Sequence, residues 1–106
     1  MERIPLRIAV FGAGAVGGYL GVRLAEGGAD VRFIARGAHL DALRARGLTL
    51  VTPDGERSTH QVRATDDPAE IGAVDVVLFL VKSYDTEAAA HRLGPLIGEG
   101  TGVLSL

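Results

Sequence analysis

The sequence contains no cysteine. A disulfide framework, a thiolate metal site and a cysteine nucleophile are therefore excluded, and a reducing compartment fits. Metal-ligand spacing is missing as well: His39, His60 and His91 read as separate surface residues, so no metal site is expected. No Ser-His-Asp arrangement can be assembled. A surplus of positive charge is also missing, because 11 Lys and Arg face 13 Asp and Glu for a net charge of −2. A nucleic-acid-binding domain usually carries a basic face or stripe, and none is present, so no nucleic-acid partner is expected. There is no internal repeat and no low-complexity stretch. Arg3 and Arg7 precede an uncharged stretch, 8–22, that superficially resembles a signal peptide. It contains Gly12, Gly14, Gly17, Gly18 and Gly21. Those glycines make a poor hydrophobic helix, and the stretch is too short to span a bilayer. A cytoplasmic protein with no membrane partner is expected.

What is present is a chain of 106 residues, one domain at most, with 47% hydrophobic and 23% charged residues. That balance excludes a disordered chain. Glycine, at 15 of 106 residues, is about twice as common as usual and marks turns and tight backbone approaches. Residues 6–11 are strand formers, and Gly12 ends them abruptly. Residues 13–26 turn helical, with Val16, Leu20, Val22 and Leu24 at mixed three- and four-residue spacings, and Gly27 and Gly28 supply the stop. Residues 31–35 form a second strand and 38–46 a short helix with Leu40 and Leu43 on one face. Residues 48–51 form a third strand; Pro53, Asp54 and Gly55 signal a turn. The segment around His60 to Ala64 is expected to return, making 48–64 a hairpin. Asp66 or Asp67 can cap a one-turn helix with Pro68 at its first position. The unbroken apolar run within 74–81 suits a strand buried on both faces of a parallel sheet. Asp85 can cap a further helix ending near Gly94 and Pro95, and 102–106 is a last strand. The chain stops inside that apolar run, which reads as the first part of a longer polypeptide; a protein ending on its last strand is the alternative.

Three features carry chemistry. Gly12, Ala13, Gly14, Ala15, Val16 and Gly17 make a G-x-G-x-x-G pattern, weak alone but placed directly between an apolar strand and a helix, as a dinucleotide fingerprint requires. Gly12 permits the tight turn, Gly14 lets a pyrophosphate approach the backbone, and Gly17 lets the helix lie close to the strand. The helix start offers free N–H groups and partial positive charge to phosphates. The alternative is a glycine-rich turn with no ligand. The second feature is Arg36. NAD-binding domains usually place Asp or Glu at the end of the second strand to hold the ribose 2′-hydroxyl. Residues 31–38 contain no acid, and Arg36, just past the strand end, can pair bidentately with the 2′-phosphate of NADP. A solvated loop arginine is the plainer reading. The third is Lys82, at the carboxyl end of the buried run, where ligands of open α/β sheets bind; a lysine reaching from a strand end to solvent is the alternative. Asp66, Asp67 and Asp85 read as caps, and Tyr84 as a surface residue.

These residues together resemble the N-terminal part of ketopantoate reductase (2-dehydropantoate 2-reductase). The resemblance rests on the strand followed by GAGAVGG at 12–18, FIARG at 33–37 and LVKSYDT at 80–86, with TPDG at 52–55 and ATDDP at 64–68. It covers residues 6–106. It implies a Rossmann-type, mainly parallel α/β sheet with a β-hairpin insertion, truncated at the last strand, in which 1–106 is an NADP-binding domain. The family reduces 2-dehydropantoate to (R)-pantoate with NADPH, on the route to pantothenate and coenzyme A. By resemblance, 12–17 would hold the pyrophosphate and Arg36 the adenosine 2′-phosphate, while Lys82 matches a lysine that contacts NADP. The family usually continues the last strand into Gln-Asn-Gly; this chain stops before it. The general-acid lysine and its assisting carboxylate lie in a helical second domain, so no catalytic residue is expected within this chain and the chain alone is expected to be inactive.

Other readings stay open. A related reductase could act on another 2-keto acid, since nothing in this half selects the substrate. A regulatory NAD(P)-binding module, such as those that gate potassium transport, uses the same glycines but typically has an acid after the second strand. A glycine-rich α/β domain that binds no nucleotide is a third option. The apolar last strand can also promote self-association, and a homodimer is one such arrangement.

Overall fold

Alternation in residues 7–11 puts Ile8 and Val10 on one face and Ala9 and Phe11 on the other, and all four are buried. A strand apolar on both faces must lie inside a sheet covered on both sides. The structure, a computed structural model, describes residues 4–12, 15–80 and 93–105. Its strands are β1 (Arg7–Phe11), β2 (Asp30–Ile34), β3 (Leu48–Val51), β4 (Arg57–His60), β5 (Arg63–Thr65), β6 (Val76–Phe79) and β7 (Gly102–Ser105). Its α-helices, in the same residues, are α1 (Ala15–Glu26), α2 (Gly37–Arg46) and α3 (Pro68–Ile71), and a short 3-10 turn occupies Gly94–Leu96. Five strands form one sheet in the order β5-β2-β1-β6-β7, and every neighbouring pair is parallel. This is the Rossmann-type sheet expected from the sequence.

The two faces of the sheet make two cores. Ile8, Val10, Val31, Phe33 and Leu78 pack with Leu40 and Leu43 of α2. Ala9, Phe11, Ile34, Val77 and Phe79 pack on the other face with Ile71 of α3, Val74 and Leu96. The Phe11 and Phe79 rings sit 5.6 Å apart between centroids, tilted by 35°.

Helix α1 departs from the expected pattern. Val22 is buried, but Leu24 and Tyr19 are exposed. The contact face is made instead by glycines. A Cβ at Gly18 would meet the Leu48 side chain at 3.1 Å, and one at Gly21 would collide with the Phe33 ring. Phe33 is 1% exposed and has nowhere to go. The helix buries little side chain of its own but lies close enough to the sheet for β2's side chains to pack on its backbone.

The hairpin is real but shorter than expected. β3 and β4 pair antiparallel from Leu48↔His60 to Val51↔Arg57, and Thr52 closes the turn through its amide to Glu56 (2.9 Å) and its hydroxyl to Asp54. The segment assigned to its returning arm divides in two. Residues 57–60 stay with the hairpin, while Arg63–Thr65 leave it and join the main sheet beside β2. The alternation of Val62 and Ala64 with Gln61, Arg63 and Thr65 shows a strand but not which sheet it joins. At the end of α2, Gly47 has φ 80°, and a Cβ there would run into the His60 carbonyl, so glycine is what lets helix and hairpin meet. His60 is half-buried rather than a surface residue, with Nε2 2.9 Å from the Ser58 hydroxyl. The buried run yields β6 over Val76–Phe79 only, because the Val74 amide bonds instead to the Leu96 carbonyl (3.0 Å). The expected helix after Asp85 lies outside the described residues.

At the start of β2, Arg32 donates from Nε to Asp30 Oδ1 at 2.9 Å, and both side chains are about 30% exposed. That hydrogen bond, then the positive charges of Arg32, Arg63 and Arg7, outweigh burial and hold the Asp30 carboxyl below its ordinary value. A depressed folded-state value means the charged form stabilises the fold above the unfolded value near ~3.9, and that contribution disappears as pH falls through the folded value. Asp30→Asn is expected to cost at most about 1 kcal/mol near neutrality. Urea titrations of both proteins should show the gap closing as pH drops below about 4; a constant gap would assign the effect to something other than the charge.

Candidate functional site

The strand order sets the location. From β1 the chain moves outward to β2 and β5, then returns to the other side of β1 as β6 and β7. The connections therefore diverge at the carboxyl ends of β1 and β6, and such a switch point leaves a crevice where ligands of open α/β sheets bind. Phe11 and Phe79 are register partners there, and the Leu80 amide donates to the Phe11 carbonyl at 2.8 Å. Gly12 follows immediately with φ 104°, a left-handed conformation that turns the chain off the strand and strains any other residue.

Gly17 lies one turn into α1, over this turn. A Cβ on it would collide with the Gly12 carbonyl oxygen and come within 3.0 Å of Leu80 Cδ1 and 3.3 Å of Val10 Cγ1. The first and third glycines of the motif thus touch each other, and the missing Cβ atoms bring the start of α1 down onto the end of β1. No acid occupies the first turn of α1. An anion there meets the helix's unpaired N–H groups and partial positive charge with no carboxylate from that turn competing. Ala13 and Gly14 lie outside the described residues; Ala15 and Val16 begin α1.

Arg36 stands two residues beyond Ile34, and Ile34 is the register partner of Phe11. It is exposed, has extended backbone (φ −148°, ψ 165°) and is the N-cap of α2. The first turn of α2 also lacks any acid. The guanidinium and the α2 N-terminus therefore stand at the same end of the sheet as the α1 N-terminus, one strand away. This second helix start was legible in the sequence, because Gly37, Ala38 and His39 carry no carboxylate, but attention to Arg36 alone passes over it. Lys82 lies outside the described residues, two positions past Leu80. Asp67 caps α3, with Oδ1 accepting from the Ala69 amide at 3.0 Å and Pro68 in the first turn. Among the described residues, no group of three His, Asp or Glu could hold a metal ion, and no helix is long and apolar enough to cross a membrane.

Glycines that a Cβ would fill and two acid-free helix starts are what a dinucleotide's phosphates require, so the residues present fit such a group. The family model described as ketopantoate reductase PanE/ApbA matches residues 8–106. The chain belongs to the ketopantoate reductase family. It is 43% identical over 102 residues to the 2-dehydropantoate 2-reductase of Mesorhizobium japonicum, covering 95% of this chain and 31% of that protein. The crystal structure of 2-dehydropantoate 2-reductase from Porphyromonas gingivalis W83 superposes with a TM-score of 0.84 at 46% identity, over 97% of this chain and 38% of that one. A ternary structure of D-mandelate dehydrogenase with NADH and anilino(oxo)acetate aligns with a TM-score of 0.83 at 27% identity, over 95% of this chain and 33% of that one. The chain thus spans about a third of the length of these relatives.

The closeness of Gly17 to Gly12 gives a test that needs no ligand. Helix propensity favours Ala over Gly by about 1 kcal/mol, yet Gly17→Ala must push α1 off β1, and overpacking of this kind costs about 1–3 kcal/mol. Chemical denaturation should find the variant less stable than the parent. A gain in stability would mean that α1 does not bear on β1 through Gly17.

Proposed function

We propose that this chain is the cofactor-binding part of an NADPH-dependent reductase that converts 2-dehydropantoate to (R)-pantoate, for pantothenate and coenzyme A synthesis in the cytoplasm. The observation that carries the choice of cofactor is Arg36 at the end of β2, on an acid-free helix start, where an NAD-binding domain would usually hold a carboxylate. In this reading Gly12, Ala13, Gly14, Ala15, Val16 and Gly17 carry the pyrophosphate on backbone N–H groups, Arg36 pairs with the 2′-phosphate, and Lys82 reaches the cofactor from beyond β6. The bound cofactor would supply the hydride that adds to the ketone carbon. The residues of this chain bind and orient it. The proton for the developing alkoxide comes from a lysine in a second, helical domain, so residues 1–106 alone hold no catalytic group. The second reading is a related reductase of another 2-keto acid, favoured by the likeness to D-mandelate dehydrogenase bound to NADH. A 2-keto acid of small size is the substrate class in either case.

Calorimetric titration with NADPH and NADH, repeated on Arg36→Ala, tests the proposal. Charge-assisted hydrogen bonds to the phosphate should favour NADPH by roughly ten- to hundred-fold, and the variant should lose that preference. Equal affinities in the parent would point to a regulatory or NAD-linked module, and binding of neither to a glycine turn that is structural only. The 106 residues incubated with NADPH and 2-dehydropantoate should show no loss of cofactor absorbance; measurable turnover would overturn the assignment of the proton donor to another domain.

A further inference from the structure

Arg36 can discriminate a phosphate only if the end of β2 holds it in place, and on its outer side that strand end is backed by β5, which carries one buried hydroxyl. Thr65 is 6% exposed, the buried polar residue among the described residues. It ends β5 as the register partner of Ile34, and its carbonyl accepts the Ala35 amide at 3.1 Å. That bond is the last rung of the sheet before Arg36. The Thr65 side chain uses both its capacities on the segment that follows. Its Oγ1 accepts from the Asp67 amide at 3.1 Å and donates to Glu70 Oε2 at 2.9 Å. Asp67 in turn caps α3, and Ile71 of α3 packs beside Ile34 and Phe11 in the core.

These bonds matter because β5 is weak by itself. It has three residues, lies at the sheet edge, and pairs on one side only. Edge strands this short hold few ladder bonds. It is also tied to α2, where Arg44 Nε donates to the Ala64 carbonyl at 3.3 Å. Without the Thr65 hydroxyl, the end of β5 loses its two side-chain hydrogen bonds to Asp67 and Glu70, which tie the rung next to Arg36 to α3.

We propose that Thr65 is a positioning residue for the cofactor's 2′-phosphate end. It acts through the Ala35–Thr65 rung and sets how well Arg36 separates NADPH from NADH. The inference rests on the NADPH reading given above. Thr65→Val keeps the shape and removes both hydrogen bonds; Thr65→Ser keeps both. The readout is the ratio of NADPH to NADH affinity in this chain, which a general loss of stability would not shift, since both cofactors share the pyrophosphate site.

Thr65→Val should lower the ratio about three- to ten-fold, the effect of losing one to two hydrogen bonds' worth of order, with NADH affinity changed less than about twofold. Thr65→Ser should keep the parent ratio. If Thr65→Val does not fold, Glu70→Ala removes the donated bond from an exposed position on α3, and should lower the ratio in the same direction. An unchanged ratio in the folded variant, or equal weakening of both cofactors, overturns the role of Thr65. A parent ratio near one, or a ratio indifferent to Arg36→Ala, overturns the NADPH reading instead, and the role of Thr65 with it.

Discussion

The contact between Gly17 and the Gly12 carbonyl is the constraint from which the rest of the site follows. A helix that starts on a strand's end must bring its first turn within van der Waals distance of the strand's last carbonyl. Any side chain at Gly17 would fill that gap. With the gap closed, Leu80 and Val10 pack against the helix backbone, and β1 and β6 are clamped at the point where their carboxyl ends meet. Gly18 and Gly21 continue the same contact along α1 toward Leu48 and Phe33. The helix is held by the sheet's side chains reaching up to it. Its N–H groups are aimed at a fixed place because its axis cannot lift.

Topology then multiplies the effect. In a parallel sheet every helix that follows a strand begins at the carboxyl edge, so helix N-termini collect at that edge. Here α1 and α2 both begin there, and both lack a carboxylate in the first turn. Each start contributes a partial positive charge that falls off within about one turn. Neighbouring starts along a polyanion therefore act on different phosphates. Arg36 adds a full positive charge at the second start.

The parts of this arrangement that a sequence displays are the ones with strong local chemistry. Gly12 and Gly17 of the motif, the apolar runs of β1, β2 and β6, and the Asp67-Pro68 helix start each state their own conformation, and the structure places them so. Tertiary choices were less visible. Val16, Leu20, Val22 and Leu24 suggest an apolar helix face, yet Leu24 is exposed and glycines make much of the contact, because close approach substitutes for side-chain area. The spacing Gly17 to Gly21, four residues and one helical face, was the available signal. The division of residues 57–65 between hairpin and sheet left a fainter trace: Arg57–His60 is polar throughout, while Val62 and Ala64 alternate and pack on the core, but two apolar positions do not name a pairing partner.

The two ends of the sheet also differ in the sign of what they attract. A cavity of about 730 Å³ lies at the amino ends, between the last turn of α1 and the chain linking β4 to β5, lined by Val22, Val31, Phe33, Val62, Glu26 and Asp30 among others. It is roomy enough for a small ligand, but it offers no helix start to a dinucleotide's phosphates. The C-terminus of α1 presents partial negative charge, and Glu26 and Asp30 add carboxylates. Their partners, Arg23 and Arg32, are already committed to them in ion pairs. Arg7 spends its guanidinium on the carbonyls of Ala73 and Ile71 (2.9 and 2.8 Å), and Arg63 also lines the cavity. Volume alone favours the amino ends for a ligand; the two helix starts without a carboxylate in their first turn favour the carboxyl ends for a polyanion. A phosphate gains from the N–H groups and partial positive charge of a helix start, and open space elsewhere does not supply them.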